Sequence, residues 1–94
     1  MPAISLETVV VRSDKVVASS MGSDLVMMDI DRGMYYSLDR IGADIWARLE
    51  VPMSVRDLCD QMQQSYAVDA ATCAADVIDM LNDMASEGLV VTSP

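Results

Sequence analysis

Histidine is absent from this chain of 94 residues, so one familiar route to chemistry is missing. Histidine is the side chain that most often serves as a base near neutral pH or as a metal ligand. The only two cysteines, Cys59 and Cys73, lack the close spacing and histidine partners of a zinc site. There is also no glycine-rich phosphate loop, and no pair of carboxylates is set apart in apolar surroundings. We therefore predict that the protein is not an enzyme and uses no cofactor or metal ion.

Basic residues are also scarce. Six lysines and arginines stand against 15 acidic residues, which gives a net charge of -9. Proteins that bind nucleic acid normally need a basic surface, because phosphate contacts dominate their affinity. The charge therefore predicts a protein whose partners are neutral or basic and do not include nucleic acid.

Long apolar runs and export signals are likewise missing. No apolar segment approaches the roughly 18 residues that a transmembrane helix requires. The start, MPAISLETVVVRSDK, lacks a basic segment followed by a long apolar one. With no export signal, two cysteines are more typical of reduced, buried thiols than of a disulfide. We expect a single domain, residues 1–94, that works in the cytoplasm away from membranes.

The first third of the chain reads as short strands joined by tight turns. Asp31–Gly33 is a strong turn signal, because Gly33 can adopt a positive φ. Runs of β-branched and apolar residues that alternate with such turns predict an antiparallel meander of three to four short strands. The predicted strands are Thr8–Arg12, Val16–Met21, Leu25–Ile30 and Met34–Leu38.

The rest of the chain reads as three helices. Each predicted helix follows a residue whose side chain can cap its first turn. The helices are Arg40–Glu50, Val55–Ser65 and Ala70–Glu87, after Asp39, Ser54 and Asp69. Gly88 fits the position that ends the third helix, and Leu89–Thr92 can form a last strand. The predicted fold is α+β and resembles a winged helix-turn-helix, with a meander followed by three helices.

The third helix has an unusually wide apolar arc. One stripe holds Ala74, Ile78, Leu81 and Ala85, and a second holds Cys73, Val77, Met80 and Met84. Two interpretations remain open: both stripes belong to the core, or the second stripe is partly open and lines a groove. Asp76, Asp83 and Glu87 flank the second stripe, either as ordinary surface acids or as contacts for a basic ligand.

The strand Met34–Leu38 is the other candidate for binding. As the last strand of a meander it is expected at a sheet edge, and it contains no proline or charge to block pairing. Such an edge can accept a peptide as an added strand. Leu38 must join the core, so Tyr36 on the same face should point inward and Tyr35 outward. The alternative is one core tyrosine and one surface tyrosine with no partner.

The segment GMYYSLDRIGADIWARLEVPMSVRDLCDQMQQSYAV resembles the PqqD-like family, also called RiPP recognition elements. The similarity extends over roughly residues 16–91 and includes the closing EGLVV. It implies a module that holds the leader of a ribosomally made precursor peptide as a strand on the sheet edge, against the third helix. The residues implied as leader-binding are Asp31, Arg32, Gly33, Met34, Tyr35, Tyr36, Ser37, Cys73, Asp76, Val77, Met80, Leu81 and Met84.

The resemblance also implies partners. Free-standing members of this length resemble those of lasso-peptide pathways, which act with a cysteine-protease leader peptidase and a cyclase. Others are peptide chaperones of pyrroloquinoline quinone synthesis, and we favour the lasso type. Two further hypotheses stay open: a winged-helix DNA regulator, and a subunit that binds only its enzyme.

Overall fold

The computed structural model describes residues 4–93. The strands are β1 Val9–Arg12, β2 Val16–Met21, β3 Asp24–Asp29, β4 Met34–Leu38, β5 Met53–Ser54 and β6 Val90–Ser93. The helices are α1 Arg40–Arg48, α2 Val55–Ser65 and α3 Ala70–Ser86. The predicted fold class is confirmed, with an antiparallel meander before three helices. In the described part of the chain, no helix is long and apolar enough to cross a membrane.

The strands form two antiparallel sheets of three strands each. One is the meander, in the order β2-β3-β4, and the other has the order β5-β1-β6. The meander therefore has three strands, the lower of the predicted three to four, because β1 pairs with β5 and β6 and not with β2. Two backbone hydrogen bonds hold the end of β1 away from β2. The Arg12 N–H donates to the Leu49 carbonyl, and the Ser13 N–H donates to the Leu89 carbonyl. Local turn chemistry cannot reveal this divergence, since a turn residue fits a hairpin and a sheet crossing equally well.

The core lies between the inner face of the meander and the helices. Met27 at the centre of β3 is fully buried and belongs to one cluster with Ile45 and Trp46 of α1. The indole N–H of Trp46 donates to the Leu89 carbonyl at 3.2 Å, so its polar atom is satisfied. The helices thus cover only one face of the meander, and the other face is exposed.

The helix ends follow the predicted capping chemistry. The side chains of Asp39, Ser54 and Asp69 accept hydrogen bonds from the backbone N–H three residues later. At the end of α3, Gly88 has φ +76° and the Leu89 N–H donates to the Met84 carbonyl at 2.8 Å. This bond pattern is a Schellman motif, and it returns the chain towards the core and β6.

Candidate functional site

The edge of β4 is free for pairing in the structure of residues 4–93. β4 bonds to β3 on one side, and no described strand lies on its other side. None of its five residues, Met34–Leu38, carries a charge or is proline. The edge therefore lacks charged side chains and proline, two of the features that proteins use to prevent strand addition.

The ladder pattern identifies which backbone groups point outward. The Ile30 N–H donates to Lys15 on the β2 side at 3.3 Å, so the even-numbered residues of β3 bond towards β2. Odd-numbered residues of β3 then bond towards β4, where Met27 is paired with Tyr36. It follows that Tyr36 bonds to β3, whereas the N–H and C=O groups of Tyr35 and Ser37 point to the free edge.

The two tyrosines face opposite sides of the sheet, as predicted. Tyr35 is 71% exposed on the outer face, whereas Tyr36 is half-buried and packs against the core. Because a strand added at this edge would continue the pleat, its side chains would also alternate between these two faces.

A groove separates β4 from the C-terminal half of α3. This cavity has a volume of about 430 Å³. Its strand wall is Tyr36, Ser37 and Leu38, and its helix wall is Met80, Asp83, Met84 and Glu87. An inward-facing side chain of an added strand would enter this space.

A smaller pocket of about 230 Å³ lies towards the N-terminal half of α3. It is almost entirely apolar, with Asp76 and Tyr66 as its polar members. The apolar lining is Ile41, Ile45, Met62, Val68, Cys73, Val77 and Met80. Met80 lines this pocket and the larger groove, so it stands between the two cavities.

The residues of α3 divide along the two predicted stripes, because all four residues of the second stripe line the cavities and none of the first stripe does. Cys73, Val77 and Met84 are buried and form the cavity floors, while Met80 is half-buried and more open. Leu81, placed among the candidate contacts by sequence, is 0% exposed and lines neither cavity. The structure thus assigns Leu81 to the core cluster, which α3 joins where it packs against α2 and β6.

The turn residues Asp31, Arg32 and Gly33 are exposed and lie beside the groove without lining it. Gly33 has φ +65°, which the turn requires. The Arg32 guanidinium donates to the Glu87 carbonyl at 3.1 Å, at the C-terminal end of α3 where a cation is favourable. This bond connects the turn before β4 to α3 and holds one end of the groove together.

The Tyr36 hydroxyl is buried, and residues 4–93 offer it no hydrogen-bond partner. Loss of solvent raises the pKa of Tyr36, and the nearby Glu87 carboxylate raises it further. The phenol is therefore neutral at physiological pH, and its O–H lies beside the groove and near the Glu87 carboxylate.

The rim of the cavities is acidic. Asp76, Asp83 and Glu87 are exposed along α3, and that helix contains no lysine or arginine. Their carboxylates give this wall a negative potential, which favours a neutral or basic ligand.

A network of polar side chains joins α1 to Tyr66, which lines the apolar pocket. The Tyr66 hydroxyl donates to Asp44 at 2.7 Å, and Arg48 forms an ion pair with the same carboxylate at 2.8 Å. Partial burial alone would raise the pKa of Asp44, but the hydrogen bonds from Arg48 and Tyr66 outweigh it and lower the pKa below 3.8. Asp44 thus stabilises the fold in its charged form.

Tyr66→Phe is expected to lower the free energy of unfolding by about 1 kcal/mol at pH 7, since it removes one hydrogen bond to a charged group. Asp44 contributes to the free energy of unfolding above about pH 3.8, its pKa in the unfolded chain. This contribution is lost as the pH falls through the lower pKa that Asp44 has in the folded protein. The difference between variant and wild type should therefore shrink below about pH 3.8. Urea unfolding from pH 3 to 7 measures this difference. Tyr35→Phe, at an exposed tyrosine, is the control, and equal stability of Tyr66→Phe and wild type would contradict the expectation.

The two thiols lie below the apolar pocket. Both cysteines are buried and free, and the Cys73 thiol approaches the Cys59 carbonyl at 3.7 Å. Burial, followed by the neighbouring Cys73, raises the pKa of Cys59 to about 11. That thiol is protonated at neutral pH and is a poor nucleophile. Within the described residues, no group of three or more metal-ligating side chains comes together.

Several lining residues were missed at the sequence level. They come from β4, α1, α2 and the segments after β4, α2 and α3: Leu38, Asp39, Ile41, Gly42, Ile45, Met62, Tyr66, Val68 and Leu89. Ile41 and Ile45 lie four residues apart on one apolar stripe of α1, but such a stripe has the same pattern whether it fills the core or borders a cavity.

Comparison with known proteins places this site in context. The model of a family described as coenzyme PQQ synthesis protein D (PqqD) matches residues 24–90. Among solved structures, TbiB1 in complex with the TbiA(beta) leader peptide is 30% identical, with a TM-score of 0.78 over 85% of this chain and 93% of that one. A lasso peptide synthetase B1 complexed with the leader peptide is 18% identical, with a TM-score of 0.76 over 87% of this chain and 96% of that one, and shows the shared fold. No curated protein matches the sequence significantly.

Proposed function

Because the chain belongs to the PqqD family, we propose that it captures the leader segment of a ribosomally made precursor peptide and presents that peptide to a maturation enzyme. The observation that carries this proposal is the unpaired edge of β4 beside an apolar groove. TbiB1, a relative with the same fold, was solved with a leader peptide, which supports the same class of ligand here.

The leader adds to β4 as a further strand, about 4.8 Å from it. Backbone groups of Tyr35 and Ser37 supply main-chain hydrogen bonds that do not depend on the leader's sequence. Alternate leader side chains then enter the groove against Tyr36, Met80 and Met84. Burial of one large apolar side chain contributes roughly 1.5–3 kcal/mol, so side chains in the groove provide the selectivity.

The protein acts as a carrier without chemistry of its own. The protonated Cys59 thiol supports this part of the proposal, because it leaves a buried cysteine without nucleophilic character. Its partners are a cysteine-protease leader peptidase and a cyclase of a lasso-peptide pathway, in the cytoplasm where the precursor is made. One alternative is a peptide chaperone in pyrroloquinoline quinone synthesis, the pathway named in the description of the matching family. The leader-bound relatives do not favour it.

Recognition of DNA is not supported by α3, which corresponds to the recognition helix of a winged helix-turn-helix. This helix presents Asp76, Asp79, Asp83 and Glu87 at its surface and has no basic side chain. Carboxylates on that surface would repel phosphates.

The test is direct binding of synthetic leader peptides. We expect the leader of a lasso-type precursor that is processed with this carrier to bind saturably, with a dissociation constant of about 1 µM or lower, that is, a binding free energy of about 8 kcal/mol. Isothermal titration calorimetry measures it, with a scrambled leader of the same composition as the control. A short Glu- and Tyr-containing quinone precursor, titrated in parallel, distinguishes the two pathways. Failure of both peptides to bind would contradict the proposal.

A further inference from the structure

The outer face of the meander is apolar, although no described element covers it. Val17, Met28 and Tyr35 are directly paired across the three strands and form one row on this face. Val17 is 50% exposed, and an open depression of about 220 Å³ lies among Val17, Val26, Met28 and Tyr35. We call this surface the outer row.

The outer row is unusual for a solvated sheet face. One side of an antiparallel sheet normally packs on the core while its other side is polar. In this protein Met27 on the inner face already packs against the helices, so the outer row is not needed for the core. Exposed apolar patches on soluble proteins commonly mark interaction sites.

Charge is confined to the ends of this face. The second row of the same face, Ser19, Val26 and Ser37, contains no charged residue either. The nearest charges stand at the ends of the sheet, with the Lys15–Asp31 ion pair at one end and Asp24 at the other. The chain has 21 charged residues among 94, yet none lies in these two rows. An apolar partner surface can therefore cover the two rows without burying an unpaired charge.

The outer row is continuous with the leader-binding edge. Tyr35 belongs to both, because its backbone points to the free edge and its ring lies on the outer face. The leader residue opposite Tyr35 would place its side chain on the same face and extend the row by one position. A protein seated on this face would then touch the carrier and the bound leader together.

We infer that the outer row is the docking surface for the enzyme that processes the bound leader, and that this enzyme contributes an uncharged, apolar patch. The inference rests on the proposed function, since the surface is complete only with the leader in place. The contact joins the enzyme to the carrier beside the segment that the carrier holds, so the adjoining part of the precursor enters the enzyme's active site. A second copy of this chain is the rival occupant.

Val17→Lys tests this inference. Val17 lies two strands from the β4 edge, about 14 Å from an added strand, so this substitution should leave leader affinity within twofold of wild type. The probe is the purified cysteine-protease leader peptidase that acts with this carrier under the proposed function. We expect its cleavage of the carrier-bound precursor to slow at least tenfold with Val17→Lys. The control is Val51→Lys, at a residue that is 58% exposed and outside the outer row, and the peptidase should cleave precursor bound to this variant at the wild-type rate.

Two further measurements keep the outcomes distinct. Interferometry with immobilised carrier should show that the peptidase binds wild type and Val51→Lys but not Val17→Lys. Equal binding or equal cleavage for all three proteins would overturn the inference. Failure of the leader to bind wild type would instead refute the proposed function. In that case the comparison of peptidase binding between wild type and Val17→Lys would still test whether the outer row is the docking surface. Sedimentation showing a wild-type dimer that Val17→Lys dissociates would assign the face to a second copy and also overturn the inference.

Discussion

Met80→Glu is expected to weaken leader binding at least about 30-fold, a loss of about 2 kcal/mol. Met80 lines both cavities and is the most open of the apolar residues that α3 contributes to them. A carboxylate at this point would have to lose water against an apolar ligand, beside the acidic residues Asp76 and Asp83. Calorimetric titration with the leader measures the change.

Asn82→Glu is the matched control for this experiment. Asn82 is exposed on the same helix, and it lines neither cavity. Asn82→Glu adds the same negative charge outside the cavities, so leader affinity should remain within about twofold of wild type, a change of less than about 0.5 kcal/mol. If both variants lost affinity equally, net charge and not the groove would be responsible. Thermal unfolding of each variant establishes that the fold is retained.

Ser37→Pro is expected to weaken leader binding at least about tenfold, or 1.4 kcal/mol, and to leave the fold intact. Proline has no N–H, so it removes one of the two outward donors of β4 and leaves a leader carbonyl without a partner. The fold tolerates this change because the Ser37 N–H does not bond to β3. Titration with the leader and chemical unfolding separate the two effects.

Three companion variants make the proline experiment specific. Ser37→Ala tests whether the side chain matters, and it should bind like wild type. Ser20→Pro removes an outward N–H from β2, the other free edge of the same sheet, and should also leave binding unchanged. Tyr36→Pro removes a bond to β3 and should destabilise the protein. Equal leader affinity for Ser37→Pro and Ser20→Pro would place the leader elsewhere.

Local chemistry predicted most of the elements. Asp39, Ser54 and Asp69 marked the helix starts because a capping side chain acts within three residues of its own position. The predicted first helix was two residues too long, since Leu49 and Glu50 turn back with bonds to the third residue before them. Such tightening of a last turn depends on how the next segment of the chain packs, and helix propensity does not report it.

Contacts between distant segments were harder to predict. The pairing of β1 with β6 joins residues about 80 positions apart, such as Val10 with Thr92, and no local pattern encodes it. Leu81 and Met80 are neighbours in sequence and both apolar, yet only Met80 borders the cavities. Which of two apolar stripes is open depends on where α2 and β4 lie against α3, and helical periodicity does not contain that information.

The sequence by itself determined the helices, their caps, the short strands, the acidic third helix and an inward Tyr36 opposite an outward Tyr35. These features depend on a few neighbouring residues and on the periodicity of a single element. Only the tertiary structure decided that β1 leaves the meander, that the outward backbone groups of β4 are those of Tyr35 and Ser37, and that cavities lie on either side of Met80. Each of these depends on the register and spacing of elements far apart in the chain, which packing sets after the elements have formed.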